Sequence, residues 1–144
     1  MEARLLPKGV LSRATGKQHG ARCNNLLNIV SSNTILYCRN WEACVHFYQH
    51  VLKFELSFAK DDWFRELIVN AGARISVANV NHCTIPSVAG RGITLSWQVE
   101  ELEQLREYLL DERVQVSAIS SSSWRAPWFY AWDPEGHRLE FWKP

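Results

Sequence analysis

The chain has 144 residues, of which 47% are hydrophobic and 22% charged, and its formal net charge is +1. This length suits one domain with a hydrophobic core of its own. No apolar run approaches the ~20 residues needed to span a membrane, so we expect no membrane association. Residues 1–32 carry five bases against one acid, whereas the remainder carries 11 bases against 14 acids. The excess of acidic residues after residue 32 argues against a nucleic-acid-binding domain there.

The basic segment, residues 1–32, lacks clear periodicity and precedes the patterned part of the chain. It is compatible with an accessory arm, a leftover of a different translation start, or a targeting segment, and its acid-poor composition permits a transit peptide. We therefore treat it as an N-terminal extension, accessory or partly ordered, of a single domain over 33–144.

The four cysteines are scattered and form no CxxC pair. We interpret them as free thiols in a reducing compartment, which predicts a cytoplasmic protein. They are Cys23, Cys38, Cys44 and Cys83.

The first patterned unit begins at Asn33 and has the order β-α-β-β-β. Its helix is predicted over 39–52, with Asn40 as a plausible N-cap, because apolar residues recur there at i, i+3, i+4, i+7 and i+8. Short apolar runs split by turn residues predict its strands. These strands cover 34–38, 54–59, 63–70 and 74–80.

The second unit follows a linker, residues 82–91, and repeats the same order. Its helix is predicted over 100–111, and a serine-rich loop is predicted over 120–123. Its strands are predicted over 93–99, 114–120, 128–132 and 138–142. When the second unit is aligned on the first, the two helices and the two last strands are separated by similar numbers of residues. This spacing indicates an internal repeat.

Two such units ending in "DPEGHRLEFW" (133–142) resemble the vicinal oxygen chelate superfamily, which includes glyoxalase I, bleomycin-resistance proteins and extradiol dioxygenases. "NWEACVHFYQHVLKFEL" resembles the first helix of that family, and "LSWQVEELEQL" resembles its entry into the second module. The resemblance covers 33–144. It implies an α+β fold of paired βαβββ modules, over 33–81 and 92–144, whose strands curve around a cleft.

In metal-dependent members of that superfamily, the ligands come from the first and last strands of each module. Strand alternation places those four positions at Asn33, Ser76, Thr94 and Glu140. Only Glu140 is of the usual ligand type, and a catalytic transition metal usually needs about three good protein ligands. We therefore predict no metal cofactor and regard Glu140 as the only plausible remnant ligand. A divalent metal remains an alternative.

The resemblance then favours a metal-free binding protein of the bleomycin-resistance type, which sequesters an aromatic or cationic small molecule and could serve antibiotic or toxin resistance. Glu140 would supply the negative charge, and aromatic faces would stack on planar groups. The candidate aromatics are Tyr37, Trp63, Trp128, Tyr130 and Trp142. The candidate hydrogen-bonding groups are Asn33, Ser76, Thr94, Ser96 and Gln98.

Several alternatives stay open on the sequence. Glu140 could simply pair with Arg138 or Arg74, and several aromatics could fill the sheet interior. The protein could be a glyoxalase-like isomerase or lyase, or a dioxygenase, with a remodelled site in which Glu140 acts as an acid or base. It could also be an interaction module whose cleft has lost function.

Because single-chain members of the superfamily commonly complete the cleft by dimerising, we predict a homodimer.

Overall fold

Two four-stranded mixed sheets form the framework of the computed structural model, which describes residues 28–144. The first sheet has the order β1-β4-β3-β2 and the second the order β5-β8-β7-β6. In each sheet the first and last strands of the module pair in parallel, and the other pairs are antiparallel. The strands are β1 (Ser32–Cys38), β2 (Glu55–Lys60), β3 (Phe64–Asn70), β4 (Ala73–Asn79), β5 (Thr94–Gln98), β6 (Ser120–Ser122), β7 (Arg125–Trp132) and β8 (Arg138–Trp142).

The identical strand order of the two sheets confirms the predicted paired βαβββ modules. We call β1–β4 with its helix the first module and β5–β8 with its helix the second module. Most of the predicted N-terminal extension, together with Cys23, lies outside the described residues.

The predicted first helix is present but is not a uniform α-helix. It begins as α1 (Trp41–His46) and continues as a wider π-helical turn over Phe47–Val51. That turn buries Phe47, Tyr48 and Val51 together. Asn40 stands at the N-cap position, but its side chain makes no capping hydrogen bond. The second helix, α2, spans Leu102–Asp111.

One predicted strand is wrong. Residues 114–119 form no strand and make one isolated bridge, between Val116 and Ala131. The strand that pairs with β7 on the side away from β8 is β6, within the segment predicted as a serine-rich loop. The side chain of Ser117 explains the interruption, because its Oγ accepts the backbone N–H of Tyr130 at 2.8 Å. A side-chain acceptor there replaces a ladder carbonyl.

A single hydrophobic core runs through both modules. Phe54 of the first module contacts Trp97 of the second edge to face, with ring centroids 5.6 Å apart. Trp97 in turn packs against Phe141 of β8 at 5.7 Å. Trp41 is buried, and its indole N–H donates to the Val77 carbonyl at 3.0 Å. The shared core fixes the two sheets relative to each other.

The linker between the modules packs tightly against the turn that precedes β8. Gly90 lies in the left-handed region, with φ +72°, and a Cβ built on it would lie 2.5 Å from the His137 Cα. Only glycine fits this close approach. Among residues 28–144, neither helix is long and apolar enough to cross a membrane.

Candidate ligand-binding site

Strand alternation sets which side chains leave the core. On β8, Leu139 and Phe141 are buried, so Glu140 between them points to the opposite face of the sheet. On β1, Leu36 and Cys38 are buried in the same way. The predicted cleft-facing residues of both strands therefore lie away from the core.

In the first module, four polar side chains form one hydrogen-bonded network, and two of them, Asn33 and Ser76, were predicted site residues. The Ser76 hydroxyl donates to Asn33 Oδ1 at 3.0 Å, and Asn33 Nδ2 donates to Glu66 Oε2 at 3.1 Å. The Ser57 hydroxyl donates to Glu66 Oε1 at 2.7 Å. Glu66 was missed by the sequence analysis, although alternation against the buried Leu67 would have placed it on this face. Asn33 and Ser76 thus meet as predicted, with a carboxylate beside them.

In the second module, Glu140 is held by two partners. Ser96, its register neighbour on β5, donates a hydrogen bond at 2.8 Å to Oε1, and Arg125 forms an ion pair with Oε2. The alternative partners, Arg138 and Arg74, are engaged elsewhere. Arg138 donates to Thr94 Oγ1 at 2.9 Å, and Arg74 donates to the Asn70 carbonyl at 2.9 Å.

These partners keep Glu140 ionised. Burial on its own would raise the pKa of Glu140, but the hydrogen bonds from Arg125 and Ser96 and the charge of Arg125 lower it further, so the net pKa lies below the usual value. The same bond raises the pKa of Arg125. The pair therefore carries both charges at neutral pH and contributes almost no net charge to the pocket beside it.

A pocket of about 280 Å³ opens beside this ion pair. Trp124, Arg125, Ala126, Glu140 and Trp142 line it. Trp124 is 82% exposed, which is unusual for so large an aromatic side chain. We name this space the Glu140 pocket. Trp124 and Arg125 lie in or just after the turn from β6 to β7, and only the fold brings them to Glu140.

The aromatic candidates of the second module have different surroundings. The guanidinium of Arg125 lies over the Trp128 ring at 4.1 Å, and that of Arg138 lies over the Tyr130 ring at 4.8 Å. Trp142 lines the Glu140 pocket. Trp124 and Trp142 are therefore the indoles that line the pocket, whereas Trp128 and Tyr130 already stack on arginine.

The remaining candidates lie elsewhere. Tyr37 lines a different cavity of about 260 Å³, between β1 and the linker. Trp63 stands in the turn before β3 and stacks on His82, with ring centroids 6.2 Å apart. Gln98 is exposed near the end of β5, opposite Trp142 in register. The predicted set therefore falls into several places, and among the described residues no side-chain hydrogen bond joins the Asn33 network to the Glu140 pocket.

A larger cavity of about 500 Å³ adjoins the Thr94–Arg138 pair. The linker backbone around Gly90 and Gly92 forms one wall, with Arg91 and Trp132 also in the lining. Thr94 therefore lies beside a positively charged cavity, two register positions along the sheet from Glu140.

The residues at the superfamily's metal positions do not fit a divalent ion. Asn33 Oδ1 accepts from Ser76, and Glu140 is engaged by Arg125 and Ser96. Thr94 accepts from Arg138 rather than facing Glu140. Among residues 28–144, no cluster of three histidine, cysteine or acidic side chains includes Glu140. The guanidinium of Arg125 thus occupies the only carboxylate found at these four positions.

Solved structures share this architecture. An integron cassette protein from the mobile metagenome of the Halifax Harbour sewage outfall superposes with a TM-score of 0.65 at 23% identity, over 79% of this chain and 97% of its own. TnmS3, an antibiotic-binding protein from Streptomyces sp. CB03234, gives 0.66 at 15% identity, over 79% and 94%. Lactoylglutathione lyase from Agrobacterium tumefaciens gives 0.64 at 12% identity, over 77% and 90%.

The chain has the glyoxalase/bleomycin-resistance/dioxygenase fold. The predicted resemblance is confirmed at that level. No family model matches the sequence, and no curated protein matches it either. This fold accommodates both lyases and binding proteins, so function has to be argued from the site.

Proposed function

We propose that this protein binds a small planar molecule in the Glu140 pocket without using a catalytic metal. The observation that carries the proposal is the engagement of Glu140 by Arg125 and Ser96, in a pocket lined by Trp124 and Trp142. Indole faces gain free energy by stacking on planar groups, and a pre-formed polar pair orients the ligand through hydrogen bonds.

The ion pair sharpens the expected ligand class. The sequence predicted an aromatic or cationic ligand. A cation that sought Glu140 would have to displace the guanidinium of Arg125, so we favour a planar aromatic ligand of low or negative charge. The neighbouring cavity is lined by the cationic side chains Arg91 and Arg138, which also favour a negatively charged ligand over a cation.

Sequestration of a toxic planar compound is the role that we propose for this binding. TnmS3, which shares the fold, is an antibiotic-binding protein. That likeness supports an antibiotic as one ligand class to be tried first.

A thermal-shift screen of the full chain against planar aromatic compounds tests the proposal. The panel should hold neutral, anionic and cationic members, antibiotics among them, and each should be run with and without a chelator. We expect at least one neutral or anionic compound to raise the melting temperature by mass action, unaffected by the chelator.

Metal analysis of the same protein is the second experiment. Stoichiometric zinc, nickel, manganese or iron that is lost in Glu140→Gln would instead favour a glyoxalase-like lyase or a dioxygenase.

We also propose that the protein acts as a homodimer in which the first-module face of one protomer covers the Glu140 pocket of its partner. Charge supports this pairing. Among the described residues, Glu66 has no ion-pair partner, and neither does Arg138, which lies on the corresponding face of the second module and donates to Thr94. Sedimentation should therefore give about twice the protomer mass of 16.6 kDa.

A charge reversal tests the same arrangement. Glu66→Lys would place like charges together and should shift the sedimentation toward the monomer. Glu107→Lys, on the exposed side of α2, is the matched control and should leave the dimer intact. A wild-type chain that sediments as a monomer at micromolar concentration would contradict the proposal.

A further inference from the structure

Three side chains that bind metals elsewhere in proteins converge where the two modules meet. They are Cys38 at the end of β1, Cys44 in α1 and Glu135 in the turn before β8. The two sulfur atoms and a carboxylate oxygen all lie within 4.8 Å of one another. Within residues 28–144 this is the one group of three histidine, cysteine or acidic side chains so arranged, and it is separate from the Glu140 pocket.

We propose that Cys38, Cys44 and Glu135 form a binding site for a thiophilic divalent ion, Zn²⁺ or Cd²⁺. Thiolate sulfur selects ions of this kind over magnesium and calcium. Two thiolates and one carboxylate supply three of the four ligands of a tetrahedral site and leave one position open. Because the ligands come from both modules, the bound ion would join the first module to the turn of the second.

The carboxylate is already held in position. Glu135 Oε2 accepts the backbone N–H of Asn40 at 2.9 Å, and Oε1 accepts the hydroxyl of Ser87. Arg39 donates in turn to the Ser87 carbonyl at 3.2 Å. Each carboxylate oxygen keeps a lone pair after these bonds. Such outer contacts orient metal ligands.

The burial of the ligands gives the ion a path. Both cysteines are fully buried, whereas Glu135 is only half-buried, so an ion enters past the carboxylate. Binding of M²⁺ by the two thiols replaces two S–H bonds with two metal–sulfur bonds and releases two protons to solvent. The apparent affinity should therefore rise with pH, because protons compete with the ion for the sulfur atoms.

Cadmium titration of the reduced, metal-free full chain tests the site. Thiolate coordination gives a sulfur-to-cadmium charge-transfer band in the ultraviolet, which histidine or carboxylate coordination does not. We expect this band to saturate at one Cd²⁺ per chain and to disappear when Zn²⁺ is added in excess. We also expect Zn²⁺ to raise the melting temperature.

Variants assign the ligands. Cys38→Ser and Cys44→Ser should each weaken or abolish the band, and Glu135→Gln should lower the affinity by at least about ten-fold. Cys83→Ser is the matched control and should titrate like the wild type. Glu135 is on a surface turn, so its variant keeps the test valid if a cysteine variant fails to fold, which circular dichroism would reveal.

Several results would overturn the site. They are the absence of a charge-transfer band in the wild type, a wild-type band in Cys44→Ser, wild-type affinity in a folded Glu135→Gln, or loss of the band in Cys83→Ser. The readout does not depend on ligand binding beside Glu140, so this inference and the proposed function can fail independently.

Discussion

Tyr48 of the first module donates a hydrogen bond of 2.8 Å to the carboxylate of Asp133 in the second. His137 Nδ1 lies 2.7 Å from the same oxygen. The other oxygen of Asp133 accepts the backbone N–H groups of Glu135, Gly136 and His137. The turn that orients β8, and therefore Glu140, is thus hydrogen-bonded to the first helix. Burial and the neighbouring Asp133 raise the pKa of Tyr48, so its hydroxyl remains a donor at neutral and alkaline pH.

Removing this inter-module bond should destabilise the protein. Tyr48→Phe leaves a buried carboxylate with one donor fewer, and we expect a loss of about 2 kcal/mol in the free energy of unfolding, measured by urea denaturation. Tyr108→Phe is the matched control, because its hydroxyl donates to the neutral carbonyl of Val51 at 2.8 Å, also between the modules. It should cost about 1 kcal/mol. An equal or larger loss for Tyr108→Phe would contradict the special role of Asp133.

The close approach of the linker to the turn predicts a difference between two glycines. Gly90→Ala adds a Cβ 2.5 Å from the His137 Cα at φ +72°, and we expect a loss of about 3 kcal/mol or more. Gly92→Ala has φ +83° but no atom within 4 Å of its Cβ, so only the backbone conformation is penalised, by about 1 kcal/mol. Thermal and urea unfolding of both variants measure the difference. Similar losses would show that contact with the turn is unimportant.

The ion pair of Glu140 predicts a dependence on pH. Its pKa is lowered on folding, so the pair stabilises the native state above the unfolded-state pKa, near 4.5, and that contribution is lost as the pH falls through the lower, folded value. Glu140→Gln should therefore be less stable than the wild type at pH 7, and the gap should narrow below about pH 4.5. Urea denaturation across this range measures it.

Arg125→Gln provides the companion measurement. Without the guanidinium, burial should move the pKa of Glu140 upward, and stability should be lost at a higher pH than in the wild type. If Arg125→Gln left the acid limb of the stability curve unchanged, the ion pair would not be the cause of the shift.

The exposed indole of Trp124 predicts a loss of binding without a loss of stability. Because the side chain is 82% exposed, Trp124→Ala should change the free energy of unfolding by less than about 0.5 kcal/mol. The affinity for a compound found in the screen should fall by roughly ten-fold, as expected for one stacking contact. Trp63→Ala, in the turn before β3, is the control and should bind normally. Isothermal titration calorimetry of both variants decides whether Trp124 contacts the ligand.

The sequence by itself determined most of the elements and the direction of the side chains on β1 and β8, because these follow from local periodicity. The repeat of the β-α-β-β-β order predicted two modules, and both sheets have that order. Alternation within "RLEFW" placed Glu140 opposite the buried Leu139 and Phe141, as observed. The predicted ligand, homodimer, metal-free state and cytoplasmic location remain predictions.

Only the tertiary structure decided which groups meet, because a partner depends on strand register and turn geometry that periodicity does not encode. Arg125 reaches Glu140 from the start of β7, whereas the sequence offered Arg138 or Arg74. Ser117 ends a strand that the apolar pattern predicted, by taking the Tyr130 N–H. Glu135 is distant in sequence from Cys38 and Cys44 and meets them only when the second module docks on the first helix. The side of the sheet that Glu140 of "DPEGHRLEFW" faces could thus be predicted from the sequence. Its partner Arg125 and the indoles beside it could not.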